Sequence, residues 1–157
     1  MDLAWAAQTG SLLSASMDGT VRLWHPGTGD ACLGVFPHGD VITSIALHPK
    51  DPRLFLSGSL DCRLRLWSMA EKCVKAWNEL PAGNHITAVS FSPDGSTAMA
   101  GTSSGFLLFF DPQNDLKYHT QVHVRSQHGK NKKGRKISSI YPLPSKFGGE
   151  PKVQHSL

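Results

Sequence analysis

Charge and apolar residues are both scarce in this 157-residue chain: 18% of positions are charged and 39% apolar, against roughly 25% and 45–50% in ordinary soluble domains. No run approaches the about 18 apolar residues of a membrane-spanning helix. Met1 to Gly10 lacks both a basic start and a long apolar stretch, so no secretory signal is expected and the default compartment is the cytosol or nucleus. Cysteine is sparse. Cys32, Cys62 and Cys73 are odd in number and lack C-x-x-C spacing, which supports neither a disulfide framework nor a zinc site and leaves buried free thiols as the expectation. No segment repeats its apolar residues at a helical period.

What is abundant is glycine (15) and proline (10), a mix that suits a turn-rich all-β protein of one domain. Charge is also segregated: the chain is net −4 up to Asp115 and net +8 from Leu116 onward, within an overall +4. Arg125, Lys130, Lys132, Lys133, Arg135 and Lys136 fall within twelve positions that hold no carboxylate, the pattern of an exposed interaction segment.

A 43-residue repeat organises the rest. Leu13 to Trp24, Leu56 to Trp67 and Met99 to Phe110 align over twelve columns without a gap, at the ~40–45-residue interval of four-stranded propeller blades. Leu3-Ala-Trp5, Ile45-Ala-Leu47 and Val89-Ser-Phe91 precede them with apolar residues at period 2, as strands require. A blade then parses as strand a over 42–47, b over 54–59, c over 63–67 and d over 72–77. Trp5, Leu47 and Phe91 form one repeat-locked apolar set and Trp24, Trp67 and Phe110 another, and both are expected in the core. The units are 1–37 (a blade without its beginning), 38–84, 85–124, a basic d–a loop at 125–136, the start of a further blade at 137–144, and a tail at 145–157 expected to be disordered. Closed propellers need four to eight blades, so these units read as a piece of a ring.

His38, Ser57 or Ser59, Asp61 and Trp67 resemble the hydrogen-bonded set of the WD-repeat β-propeller family. On that reading Asp61 accepts from His38 while a strand-b hydroxyl and the Trp67 indole complete the chain, because a buried network stabilises only when every member is paired. The first unit keeps Ser14 or Ser16, Asp18 and Trp24 without its His, and the third has Ser104 and Phe110 in place of Asp and Trp. More narrowly, Arg22 to His25, His38, Leu56 to Asp61, and Tyr118 to Arg125 with Gly134 to Ile137 resemble the rabphilin-type Rab-effector subfamily.

Catalytic motifs fail on context. Gly101-Thr-Ser-Ser-Gly105 matches G-x-S-x-G, but a strand rather than a helix follows Ser103. Gly129 to Lys136 lacks the Lys and hydroxyl of a phosphate-binding loop. His119, His123 and His128 read as edge-strand residues rather than metal ligands. Neither a cofactor nor an enzymatic activity is expected. The resemblance implies a non-catalytic scaffold that docks proteins, a small GTPase or its regulators among them, across the face of d–a and b–c loops, where Met17, Leu60 and Ser103 lie at turns and Asp40, Val41 and His85 at strand-a starts. It also implies work in endosomal or secretory membrane traffic, in the cytoplasm and peripheral to endosomal or Golgi membranes, with anionic lipid as a second partner for the basic segment. The alternative is a nuclear or nucleic-acid-associated role for that segment, through Lys132 to Arg135.

Overall fold

The computed structural model describes residues 2–29, 31–124, 134–143 and 153–154. Twelve strands form three four-stranded antiparallel sheets, each a simple meander in which a, b, c and d pair in chain order. The first sheet holds β1 (Asp2–Ala6), β2 (Ser11–Ala15), β3 (Thr20–Trp24) and β4 (Cys32–Pro37); the second, β5 (Ile42–Leu47), β6 (Leu54–Ser59), β7 (Arg63–Ser68) and β8 (Cys73–Glu79); the third, β9 (Ile86–Phe91), β10 (Ala98–Thr102), β11 (Phe106–Asp111) and β12 (Lys117–His123). Register shifts in the c–d ladders fall between Leu23 and Trp24, Leu66 and Trp67, and Phe109 and Phe110, so even the irregularity keeps the 43-residue period. Helical structure among the described residues is limited to a 3-10 turn at Pro26–Thr28, where the His25 ring accepts from the Gly27 N–H.

The sheets stack face to face, and burial follows from how many neighbours each one has. Successive strand residues point to opposite faces, so Phe55 and Trp67 join Leu13, Val21 and Phe36 of the first sheet, while Leu56 and Leu66 join Ile86, Val89 and Phe110 of the third. The middle sheet is covered on both faces, and β6 is buried from Phe55 to Ser59. The first sheet is covered on one, so burial in β2 alternates strictly.

Strand a of each unit locks against the unit before it. A Cβ on Gly58 would lie 2.3 Å from Ile86 Cγ2, and one on Gly101 would lie 2.5 Å from Ile137 Cγ2. These glycines are therefore required by close approach rather than by backbone angle. Beside each, a threonine hydroxyl crosses the junction: Thr43 donates to the Ile86 carbonyl (2.7 Å) and Thr87 to the Ile137 carbonyl (2.6 Å). Ile137 thus occupies the place of Ile86 one unit on, followed by β13 (Ser139–Ile140), which pairs with β14 (Val153–Gln154).

Several expectations change. Trp5 is 55% exposed, because no sheet among the described residues packs on the outer flank of β1. Trp24 is only half-buried for the same reason. Cys32 and Cys73 are exposed, since both start outermost d strands; only Cys62 is buried. The tail holds strand β14 at its residues 153–154, although the sequence there has no strand pattern; its other residues lie outside the described ones, as do Arg125, His128, Lys130, Lys132 and Lys133.

Candidate functional site

The hydrogen-bonded set in the middle blade is assembled differently from the expected one. Trp67 Nε1–H donates to Ser57 Oγ (2.9 Å), and Ser57 Oγ lies 2.6 Å from His38 Nε2. His38 Nδ1 lies 3.0 Å from the Phe36 carbonyl. A carbonyl can only accept, so Nδ1 carries the proton, Nε2 accepts, and the Ser57 hydroxyl donates to it. Every donor in the line Trp67–Ser57–His38–Phe36 has one acceptor. The ring must stay neutral for this, and burial pushes its pKa down to about 4, against the opposing pull of the Phe36 hydrogen bond.

Asp61 does not accept from His38. Its carboxylate takes the Arg65 guanidinium at 2.7 Å, and its Oδ1 also accepts the Arg63 backbone N–H (3.0 Å). Burial raises the Asp61 pKa, but the Arg65 and Arg63 hydrogen bonds outweigh it and hold the carboxyl below its ordinary range. The side chains of Arg65 and Asp61 are only 10% and 16% exposed, whereas the corresponding pair in the first blade, Arg22 and Asp18 at 3.1 Å, is nearly half exposed. Ser59 Oγ donates to the Asp40 carbonyl (3.2 Å) and accepts the Asp61 backbone N–H (3.4 Å). The first blade keeps the indole bond, Trp24 to Ser14 at 2.9 Å. Arg22 and Arg65 were missed in the sequence, although they share one column of the repeat four residues after the Asp.

The third blade replaces the whole set. Backbone bonds from His38 N to Gly19 O, Leu80 N to Cys62 O and Val124 N to Gly105 O, each 2.8 Å, make Leu80 the counterpart of His38. Ala100, Leu108 and Phe110 stand at the places of Ser57, Arg65 and Trp67. Ser104 replaces Asp61 and bonds Asn84 and Thr102. Removing all partners together leaves no buried group unsatisfied.

The candidate docking residues fall along one edge of the stack. Each b–c turn has a left-handed residue at the same column, Gly19, Cys62 and Gly105, and each abuts the segment entering the next blade. A Cβ on Gly19 would lie 3.3 Å from the His38 carbonyl and 3.5 Å from that of Asp40; Cys62 Sγ lies 3.6 Å from His85 Nδ1; a Cβ on Gly105 would lie 2.7 Å from Arg135 N. Leu60 N bonds the Val41 carbonyl (3.0 Å), Ser103 N the His85 carbonyl (2.9 Å), and His85 Nδ1–H donates to the Leu60 carbonyl (2.7 Å). Met17, Asp40, Val41, Leu60, His85, Ser103 and Arg135 are thereby brought to one arc. Met17 is 66% exposed, and Asp40, His85, Arg135 and Lys136 are exposed. His123 stacks on Phe106 at 4.2 Å.

Residues 1–25, 30–68 and 72–111 match the model of the WD domain, G-beta repeat. The chain belongs to the WD40 repeat family. WD repeat-containing protein 44 of Xenopus laevis is 50% identical over 98% of the chain, an uncharacterized WD repeat-containing protein of Schizosaccharomyces pombe 35% over 93%, and 2-deoxy-glucose resistant protein 2 of Saccharomyces cerevisiae 34% over 99%. The chain spans 16%, 25% and 17% of those proteins. This family is of a non-catalytic scaffold type that binds proteins. No helix among the described residues is long and apolar enough to cross a membrane.

Proposed function

We propose that this WD40 chain presents the arc of b–c turns and strand-a starts as a protein-docking face in Rab-linked membrane traffic. The observation that carries the docking face is the contiguity of three turns with the entering segments of the next blades, through Gly19 and Asp40, Cys62 and His85, and Gly105 and Arg135. Backbone hydrogen bonds fix this edge while Met17, Asp40 and His85 stay exposed, which presents side chains on a preorganised surface. Fold alone does not select a partner; the Rab assignment rests on the resemblance to the rabphilin-type subfamily. The test is binding of purified Rab GTPases, loaded with GDP or a non-hydrolysable GTP analogue. Saturable binding by a GTP-form Rab, lost in the double variant Leu60→Glu, His85→Glu, supports the reading. No binding by any Rab, with the chain folded, overturns the Rab assignment; binding that survives the double variant overturns the face.

A second reading rests on Arg135 and Lys136, which lie exposed beside the Gly105 turn. Arg125, Lys130, Lys132 and Lys133 lie within ten positions before Arg135 in the sequence, and each basic residue near an anionic leaflet contributes about 1 kcal/mol. Co-sedimentation with phosphatidylserine vesicles should fall steeply in the variant Lys132→Glu, Lys133→Glu, Arg135→Glu, Lys136→Glu. Equal pelleting of the variant and the unaltered chain would remove this reading.

A further inference from the structure

The apolar replacement set of the third blade leaves a cavity of about 260 Å³ at the outer junction of the second and third blades. Its walls are Leu80, Leu108, Phe110 and the ring of Tyr118. In the middle blade the same place is filled: the His38 ring lies on Trp67 at 5.0 Å between centroids, and Arg65 reaches back to Asp61. Phe110 has one ring where Trp67 has two, and Leu108 is shorter than Arg65, so the third blade's junction is open, with Leu80, Leu108 and Phe110 as its apolar floor.

The rim is polar and rich in acceptors. Both contacts from Arg63 fall on Glu79 Oε2, leaving Oε1 without a partner among the described residues. Asn78 donates its amide N–H to the Leu116 carbonyl, and neither its Oδ1 nor the exposed Gln121 amide takes a partner among the described residues. An apolar notch ringed by a few convergent polar groups is the usual form of a side-chain or ligand pocket. Glu79 Oε1 and Asn78 Oδ1 can accept from a cationic donor, which would share the Glu79 carboxylate with Arg63.

We propose that this notch, which adjoins the b–c turn face at Leu80, is a second docking site that receives one large apolar side chain of an extended partner peptide with a Lys or Arg beside it. Tyr118, 45% exposed, covers the inserted side chain, while Glu79 and Asn78 take the cation.

The test uses the full chain and fluorescein-labelled peptides of sequence Gly-Ser-Lys-X-Gly-Ser, with X as Leu, Phe or Ala, and a Leu peptide in which Glu replaces Lys, read by fluorescence anisotropy. The Leu or Phe peptide should bind at least about tenfold tighter than the Ala peptide, and tighter than the Glu peptide. The variant Phe110→Trp, which fills the notch with the middle blade's own residue, should abolish that preference. The variant Tyr118→Ser, at a site 45% exposed, should weaken the Leu and Phe peptides to the level of the Ala peptide. Equal affinity for the Leu, Phe and Ala peptides overturns the proposal, as does unchanged binding by Tyr118→Ser. The turn-face variant Leu60→Glu, His85→Glu should leave peptide binding unaltered; loss there would mean that the peptides sit on the turn face instead.

Discussion

Ser57 is the residue on which the middle blade's polar line turns, because it alone accepts from Trp67 and donates to His38. Ser57→Ala should cost about 1–3 kcal/mol by orphaning two buried groups, measured as a shift in urea midpoint, and Ser14→Ala less, since Trp24 is half-buried. Asp61→Ala should cost about 3 kcal/mol, since it strands a buried guanidinium, against less than about 1 kcal/mol for the half-exposed Asp18. Asp61→Ser combined with Arg65→Leu, the third blade's own pair, should recover part of that loss; a double variant no better than Asp61→Ala would contradict it. The expected His38–Asp61 bond misjudged which neighbour each would take. A list of network residue types does not say that the hydroxyl sits between imidazole and indole, leaving the carboxylate for arginine. The column holding Arg22 and Arg65 was legible.

His38 also gives the chain a pH dependence. The folded chain holds the ring neutral with a pKa of about 4, whereas an unfolded chain binds a proton near 6.5. The unfolded state therefore carries more protons between these values, and stability rises with pH across them. The contribution is complete above about pH 6.5 and lost as pH falls through about 4, an effect of at most about 3 kcal/mol. Urea unfolding of the chain and of His38→Gln at about pH 7.5 and 4.5 checks this: the variant should lose less stability on acidification, and equal losses would contradict the assignment.

At the scale of the strand, the tightest constraint is the junction between one unit's b strand and the next unit's a strand. Gly58→Ala places a methyl group against Ile86 and Val89, and should cost about 1–3 kcal/mol by overpacking. Gly58→Ala with Ile86→Val should recover part of the loss in thermal unfolding; a double variant less stable than the sum of the single changes would argue against this packing. The b–c turns and strand limits were readable because periodicity and turn residues are local signals. The middle unit's expected strands at 42–47 and 54–59 coincide with β5 and β6. The glycine's reason was not local: it is set by an isoleucine 28 residues away in sequence for Gly58 and 36 for Gly101.

For the molecule as a whole, burial is set by stacking, and this the repeat could only half reveal. Matching columns predict matching environments, yet Trp5, Leu47 and Phe91 pass from 55% exposed through half-buried to 4% exposed, because their sheets differ in how many faces are covered. Leu3 and Trp5 form an uncovered apolar flank, of a kind that promotes association. Sedimentation velocity should show self-association that decreases in Leu3→Lys, Trp5→Ser; a monodisperse monomer before and after would contradict it.

The four tryptophans sample every environment in this stack, so exchange of their indole N–H protons, followed by ¹⁵N-resolved NMR in D₂O, tests the arrangement most directly. Trp67 is 4% exposed and bonded to Ser57, Trp24 is bonded to Ser14 at a half-covered site, and Trp5 and Trp77 are 55% and 54% exposed. Protection should rank Trp67 above Trp24, with Trp5 and Trp77 lost first. Comparable exchange of Trp67 and Trp5 would contradict the stacked blades and the polar line within them.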